Sequence, residues 1–151
     1  MEVANRRIIP KPAISTNLQR ISPSGHGVRD EIMSKLNPNA QKWVDALRSG
    51  KYKQGKDCLA YAGHFCCLGV LCELALESGV RISKDDDTQG LVHYGGSSTY
   101  LPRPVRDWAC LKTARGHYGD TSLADKNDEG FSFAQIAELI EANAEELGVS
   151  A

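Results

Sequence analysis

The stretch Phe65-Cys-Cys-Leu-Gly-Val-Leu-Cys-Glu-Leu-Ala-Leu-Glu-Ser-Gly79 is the longest apolar run in the chain. Phe65, Leu68, Val70, Leu71, Leu74, Ala75 and Leu76 would spread round nearly every side of a helix. A helix apolar almost all round belongs inside a core. One polar stripe is left: Glu73 and Glu77 stand four apart, with Gly69 a turn before them. Ser78-Gly79 supplies a stop. The run is shorter than the roughly 20 residues a bilayer span needs. It therefore reads as a central buried helix, which says how the chain folds and nothing of what it does.

Upstream, Ala40, Trp43, Val44 and Leu47 fall at helical spacing behind Asn39, read as the cap, and Gly50 ends that helix. Asn37-Pro38 breaks a shorter predicted helix from Val28 to Leu36. Between Lys51 and Asp57 the chain is polar and basic. Cys58-Leu-Ala-Tyr61 and His64-Phe-Cys66, flanking Ala62-Gly63, predict a hairpin that feeds the central helix. Downstream, Asp85-Asp86-Asp87 reads as an exposed loop. Leu91–Tyr94 and Ser98–Leu101 flank Gly95-Gly96 as a second hairpin. Pro102 and Pro104 open a short helix with Val105, Trp108 and Ala109 on its apolar face. Lys112 to Asp120 reads as a loop, and Ser122 to Asn127 as one helical turn. Ser132 with Gln135 forms a capping box for a last helix, with Phe133, Ile136, Ala137, Ile140, Ala144 and Leu147 on one face. The expected architecture is a small single α+β domain: four or five helices around the buried one, plus a small antiparallel sheet of hairpins. Residues 1–27, with three prolines, two glycines and no periodicity, read as a flexible basic tail, and 28–151 as the globular domain.

A chain of 151 residues, 41% hydrophobic, is long enough for one real core. Its formal net charge of −1 conceals a polarity. Residues 1–57 hold 11 basic against 5 acidic side chains, and 120–151 hold 1 against 8. The two ends can serve separate partners or dock on one another. No secretion-type apolar run precedes residue 25. Five cysteines lack a disulfide framework and fit buried thiols in a reducing cytosol.

Several motifs occur in order: Lys42-Trp-Val-Asp-Ala-Leu-Arg-Ser-Gly-Lys-Tyr52, then Gln54-Gly55, the Cys-Cys-Leu-Gly-Val-Leu-Cys core from Cys66 to Cys72, and Tyr100-Leu-Pro102 with Val105 and Trp108. Ser122-Leu-Ala124, Asn127-Asp128, Gly130, Ser132-Phe133, Ile136-Ala137 and Ile140-Glu141 follow. Over residues 39–141 this order resembles a family of small proteins encoded by bacteriophages and prophages. The resemblance implies a setting, the cytoplasm of an infected host bacterium, and no particular chemistry.

Five constellations compete as sites. Cys58, His64, Cys66, Cys67 and Cys72 lie close in sequence, but without a Cys-x-x-Cys pair buried thiols are the better reading than zinc. His64 and Cys66 share a strand face, yet no oxyanion hole accompanies them. His93, His117, Asp107, Asp120 and Asp128 are scattered, and Asn127 to Gly130 reads as a helix-ending turn rather than a calcium loop. Arg48, Lys51, Tyr52, Lys53 and Lys56 could hold phosphates, with Tyr52 as a stacking ring. Arg103, Arg106, Lys112 and Arg115 form a second basic set. Glu138, Glu141, Glu145 and Glu146 line the last helix and could meet a basic partner. The sequence therefore predicts a non-enzymatic binding protein of phage type. It would inhibit a host bacterial defence component by protein contact, with no cofactor, metal or membrane. Alternatives are a sponge for a nucleotide messenger, across a homo-oligomer interface if one forms, and a thiol- or metal-dependent enzyme, the thiol chemistry using His64 and Cys66.

Overall fold

A computed structural model describes residues 35–151; the predicted tail and the predicted helix up to position 34 lie outside the described residues. Leu36–Ala151 form one compact unit. Its first helix, α1 (Pro38–Arg48), starts two residues earlier than Asn39 suggests. Asn37 is the cap: its side chain accepts from Ala40 N at 2.8 Å, and Pro38 takes the first helical position, where no amide is needed. The Asn37-Pro38 pair thus begins a helix. Leu36, the last residue of the predicted earlier helix, sits instead in a β-bridge with Ser150, and Asn37 N donates to Val149 O.

The decisive stretch is α2 (Cys67–Glu77), with seven of its eleven residues buried. It packs against α1, against α3 (Arg103–Ala109) and against α4 (Leu123–Asp128). Trp43, fully buried, ties α1 to α2 by donating from its indole to Cys67 O at 2.8 Å. The predicted polar stripe is corrected at Gly69, which is buried: a Cβ there would overlap the Leu59 carbonyl. Glycine is present for close approach of backbone, not for a solvent face. Half-buried Glu73 accepts from Tyr94 Oη and pairs with Lys84 Nζ at 2.7 Å. Exposed Glu77 alone of the three faces water freely.

The strands are short. β2 (Ala60–Tyr61) and β3 (His64–Phe65) form the predicted hairpin about Ala62 and Gly63, both at positive φ as a primed two-residue turn requires. A third strand, β1 (Lys53–Gln54), joins β3 in parallel, in the order β1-β3-β2. The sequence showed only a basic loop there. β5 (Val92–Tyr94) pairs not with Ser98–Leu101 but with β4 (Lys84–Asp86), the stretch expected to be a loop. Gly95-Gly96 still turns the chain, through a single Tyr94–Ser97 bridge. β6 (His117–Tyr118), inside the other expected loop, pairs as a small hairpin with β7 (Thr121–Ser122), which follows the end of that loop.

Ser122 caps α4, and the capping box at Ser132 and Gln135 opens α5 (Phe133–Ala142). The last helix is interrupted at Asn143, so α6 (Ala144–Leu147) is separate and the described residues hold six helices. The interruption keeps Ala144 and Leu147 on the buried side. The whole is a small α+β unit with its core centred on α2.

Candidate functional site

Residues directly opposite one another across a sheet project from the same face. Lys53 is in register with His64, and Tyr61 with His64, so Lys53, His64 and Tyr61 form a row across three strands. All three are exposed, Tyr61 by 49%. Leu91, bridged to Tyr61, extends the row by one half-buried residue. The opposite face carries Gln54, Phe65 and Ala60 and turns inward.

Behind that inner face lies a polar hub. Asn127 is fully buried. Its Oδ1 accepts from Gln54 Nε2 at 2.9 Å and from Cys67 N at 3.2 Å; its Nδ2 donates to Gly55 O at 2.7 Å. Gln54 Nε2 also donates to Phe131 O. One amide side chain thus joins β1, the start of α2 and the end of α4. In the sequence Asn127 reads only as the end of a helical turn, and an amide ahead of a glycine gives no hint that it points inward. Asp128 Oδ1 accepts from Asp57 N, so the turn also anchors the loop before β2.

The five basic and aromatic candidates do not converge. Arg48 makes a two-pronged pair with Glu141 of α5, at 2.8 and 2.9 Å. Lys53 belongs to the sheet row, and exposed Lys56 approaches Gly130. Lys51 and Tyr52 do share a site. An open groove of about 490 Å³ lies between the C-terminal ends of α1 and α2, lined among others by Lys42, Asp45, Lys51, Tyr52, Leu74 and Glu77. That volume lies within the range of small-molecule sites, about 300–1,000 Å³. Lys51 Nζ stands 5.5 Å from the centre of the Tyr52 ring, and Phe65 meets that ring edge-on. The Tyr52 hydroxyl is buried and has no hydrogen-bond partner among the described residues. Leaving such a group unpaired costs about 1–3 kcal/mol. Burial, then the charges of Glu77 and Glu73, push its pKa up, so it stays a neutral donor.

The acidic candidates are also divided. Glu141 is engaged with Arg48, and Glu146 accepts from Gly119 N, while Glu138 and Glu145 are exposed. In the second basic set, Arg103 pairs with Asp107, Arg106 donates to Lys112 O, and Arg115 pairs with Asp125 at 2.9 Å. The Arg115 guanidinium also lies 5.7 Å from the ring centre of Tyr100, which is 53% exposed. These cations act singly, each inside its own neighbourhood.

The cysteines range from the core to the surface. Cys66, Cys67 and Cys72 are buried, Cys58 is half-buried and Cys110 is exposed. Burial pushes the Cys66 thiol up to about 12 and raises Cys67 and Cys72 as well. A nucleophilic cysteine needs the reverse shift. His64, on the solvent side, has Nδ1 beside Ala62 O of its own turn. Among the described residues no three His, Cys, Asp or Glu side chains are grouped to hold a metal. Nor is any described helix long and apolar enough to cross a membrane.

Fold and site together define a small α+β domain that presents an outward cationic and aromatic row and an open groove lined by both charged and apolar side chains. The chain belongs to the family described as Domain of unknown function (DUF8296), whose model matches residues 37–144. That span contains the row, the hub and the groove. No curated protein and no solved structure matches the chain.

Proposed function

We propose that the protein is a non-enzymatic binding protein of bacteriophage type, working in the host cytoplasm, and that it inhibits a component of bacterial defence by protein contact. The setting rests on the sequence resemblance alone. The contact reading is carried by one observation: Lys53, His64 and Tyr61 stand in register on an exposed sheet face. Tyrosine is enriched at contact surfaces because it offers a large rigid face with a polar tip. Lys53 adds charge for steering toward an acidic partner. Thiol chemistry through Cys66 draws no support from this arrangement, since its buried thiol resists ionisation.

The test combines a phenotype with a map. The protein is expressed in a bacterium carrying a defence system, and phage plating is measured. Wild type should restore plating. A Lys53→Glu/His64→Ala/Tyr61→Ala variant should not, although its melting temperature stays close to wild type. A photo-crosslinking amino acid at position 61 should give one discrete host adduct. Full restoration by the triple variant, or crosslinks without a discrete product, would overturn the proposal.

A further inference from the structure

We infer that the groove between the C-terminal ends of α1 and α2 binds a small phosphorylated organic molecule whose body carries hydroxyl or amino groups. This inference is independent of the sheet row. The groove brings Lys42 from the middle of α1 and Lys51 from the following loop to one concavity. Neither lysine forms an ion pair with another described residue. Two separate ammonium groups match a phosphate dianion better than a carboxylate, which one lysine would satisfy.

The remaining groups select the rest of the ligand. Glu77 and Asp45 are acceptors, Asp45 taking one bond from Gln41 and keeping a second oxygen. The helix C-terminal ends, with their partial negative charge, also favour donors and leave the anion to the lysines. Hydroxyl or amino groups on the ligand suit all of these. Tyr52 lines the groove, and its buried hydroxyl, which has no partner among the described residues, can donate to an oxygen of the same ligand. Ala46 and Leu74 give an apolar floor for a carbon skeleton. An anion alone would leave the acceptors unused, and a cation would meet both lysines.

The experiment is amide NMR of the full chain, titrated separately with glycerol phosphate, a nucleoside monophosphate and inorganic phosphate. The amides of Ser49, Lys51, Tyr52 and Ser78 should shift saturably with at least one ester, and at lower concentration than with inorganic phosphate. Lys42→Ala/Lys51→Ala should weaken that binding by tenfold or more. Tyr52→Phe, which keeps the ring, should weaken it several-fold. Melting temperatures and spectra away from the groove report that each variant is folded. No saturable shift with either ester, shifts that survive the double lysine variant, or equal response to inorganic phosphate would overturn the inference.

Discussion

Gly69 shows how one missing atom organises this molecule. Its backbone lies against the Leu59 carbonyl, so a side chain there must push the strand-bearing loop away from the central helix. Gly69→Ala should lower stability by about 2–3 kcal/mol in urea unfolding, despite alanine's better helix propensity. Asn127 is the polar counterpart. Asn127→Ala leaves the buried Cys67 N and the part-buried Gly55 O without their partner, and should cost about 3 kcal/mol in the same measurement. Ionisation gives a third expectation. The Cys66 thiol titrates near 9 when unfolded and at about 12 when folded, because burial disfavours the thiolate. A raised folded value means stability fully present below pH 9 and lost as pH climbs toward 12. The melting temperature should therefore fall on the alkaline side, less steeply in Cys66→Ala; an unchanged slope in that variant would contradict the assignment.

At the scale of elements, Asn37 does two tasks. It caps α1 and donates from Nδ2 to Ala109 O, holding α1 against the end of α3. Asn37→Ala should cost more than Asn37→Ser, which keeps a cap, with the alanine loss about 1–2 kcal/mol by denaturant titration. The Arg48–Glu141 pair joins α1 to α5, with side-chain exposures of 35% and 21%. It is open to solvent, so a double-mutant cycle should return no more than about 1 kcal/mol, smaller still in high salt. The pair shows the basic front and acidic rear of the chain meeting at one point. The same contact explains why Arg48 and Glu141, plausible as ligand and partner residues by charge alone, are each partly committed within the molecule.

For the whole molecule, thiol labelling reads out the packing. Under native conditions at neutral pH, Cys110 should react first, Cys58 more slowly, and Cys66, Cys67 and Cys72 only after unfolding, as mass spectrometry after iodoacetamide would count. The sequence by itself determined where the main helices lie and which faces turn inward, though not the cap of α1 at Asn37 or the break at Asn143. The run from Phe65 to Gly79, the spacing of Ala40, Trp43, Val44 and Leu47, and the Ser132–Gln135 box each carry their signal within a few residues. So does the Ala62-Gly63 hairpin. Apolar periodicity and local hydrogen-bonding chemistry suffice for these, because the interactions that form them are near in the chain. Only the tertiary structure decided the rest. The parallel partner of β3, the choice of Lys84–Asp86 over Ser98–Leu101 as the mate of β5, and the burial of Asn127 depend on contacts between distant residues. Strands of two or three residues have no period to read. Above all, the tertiary structure sorted the charges. It gave Arg48 to Glu141, set Lys53 in a row with His64 and Tyr61, and left Lys42, Lys51 and Tyr52 around one groove. Residues close in sequence leave on different faces of the backbone, and only the fold settles which charge each one meets.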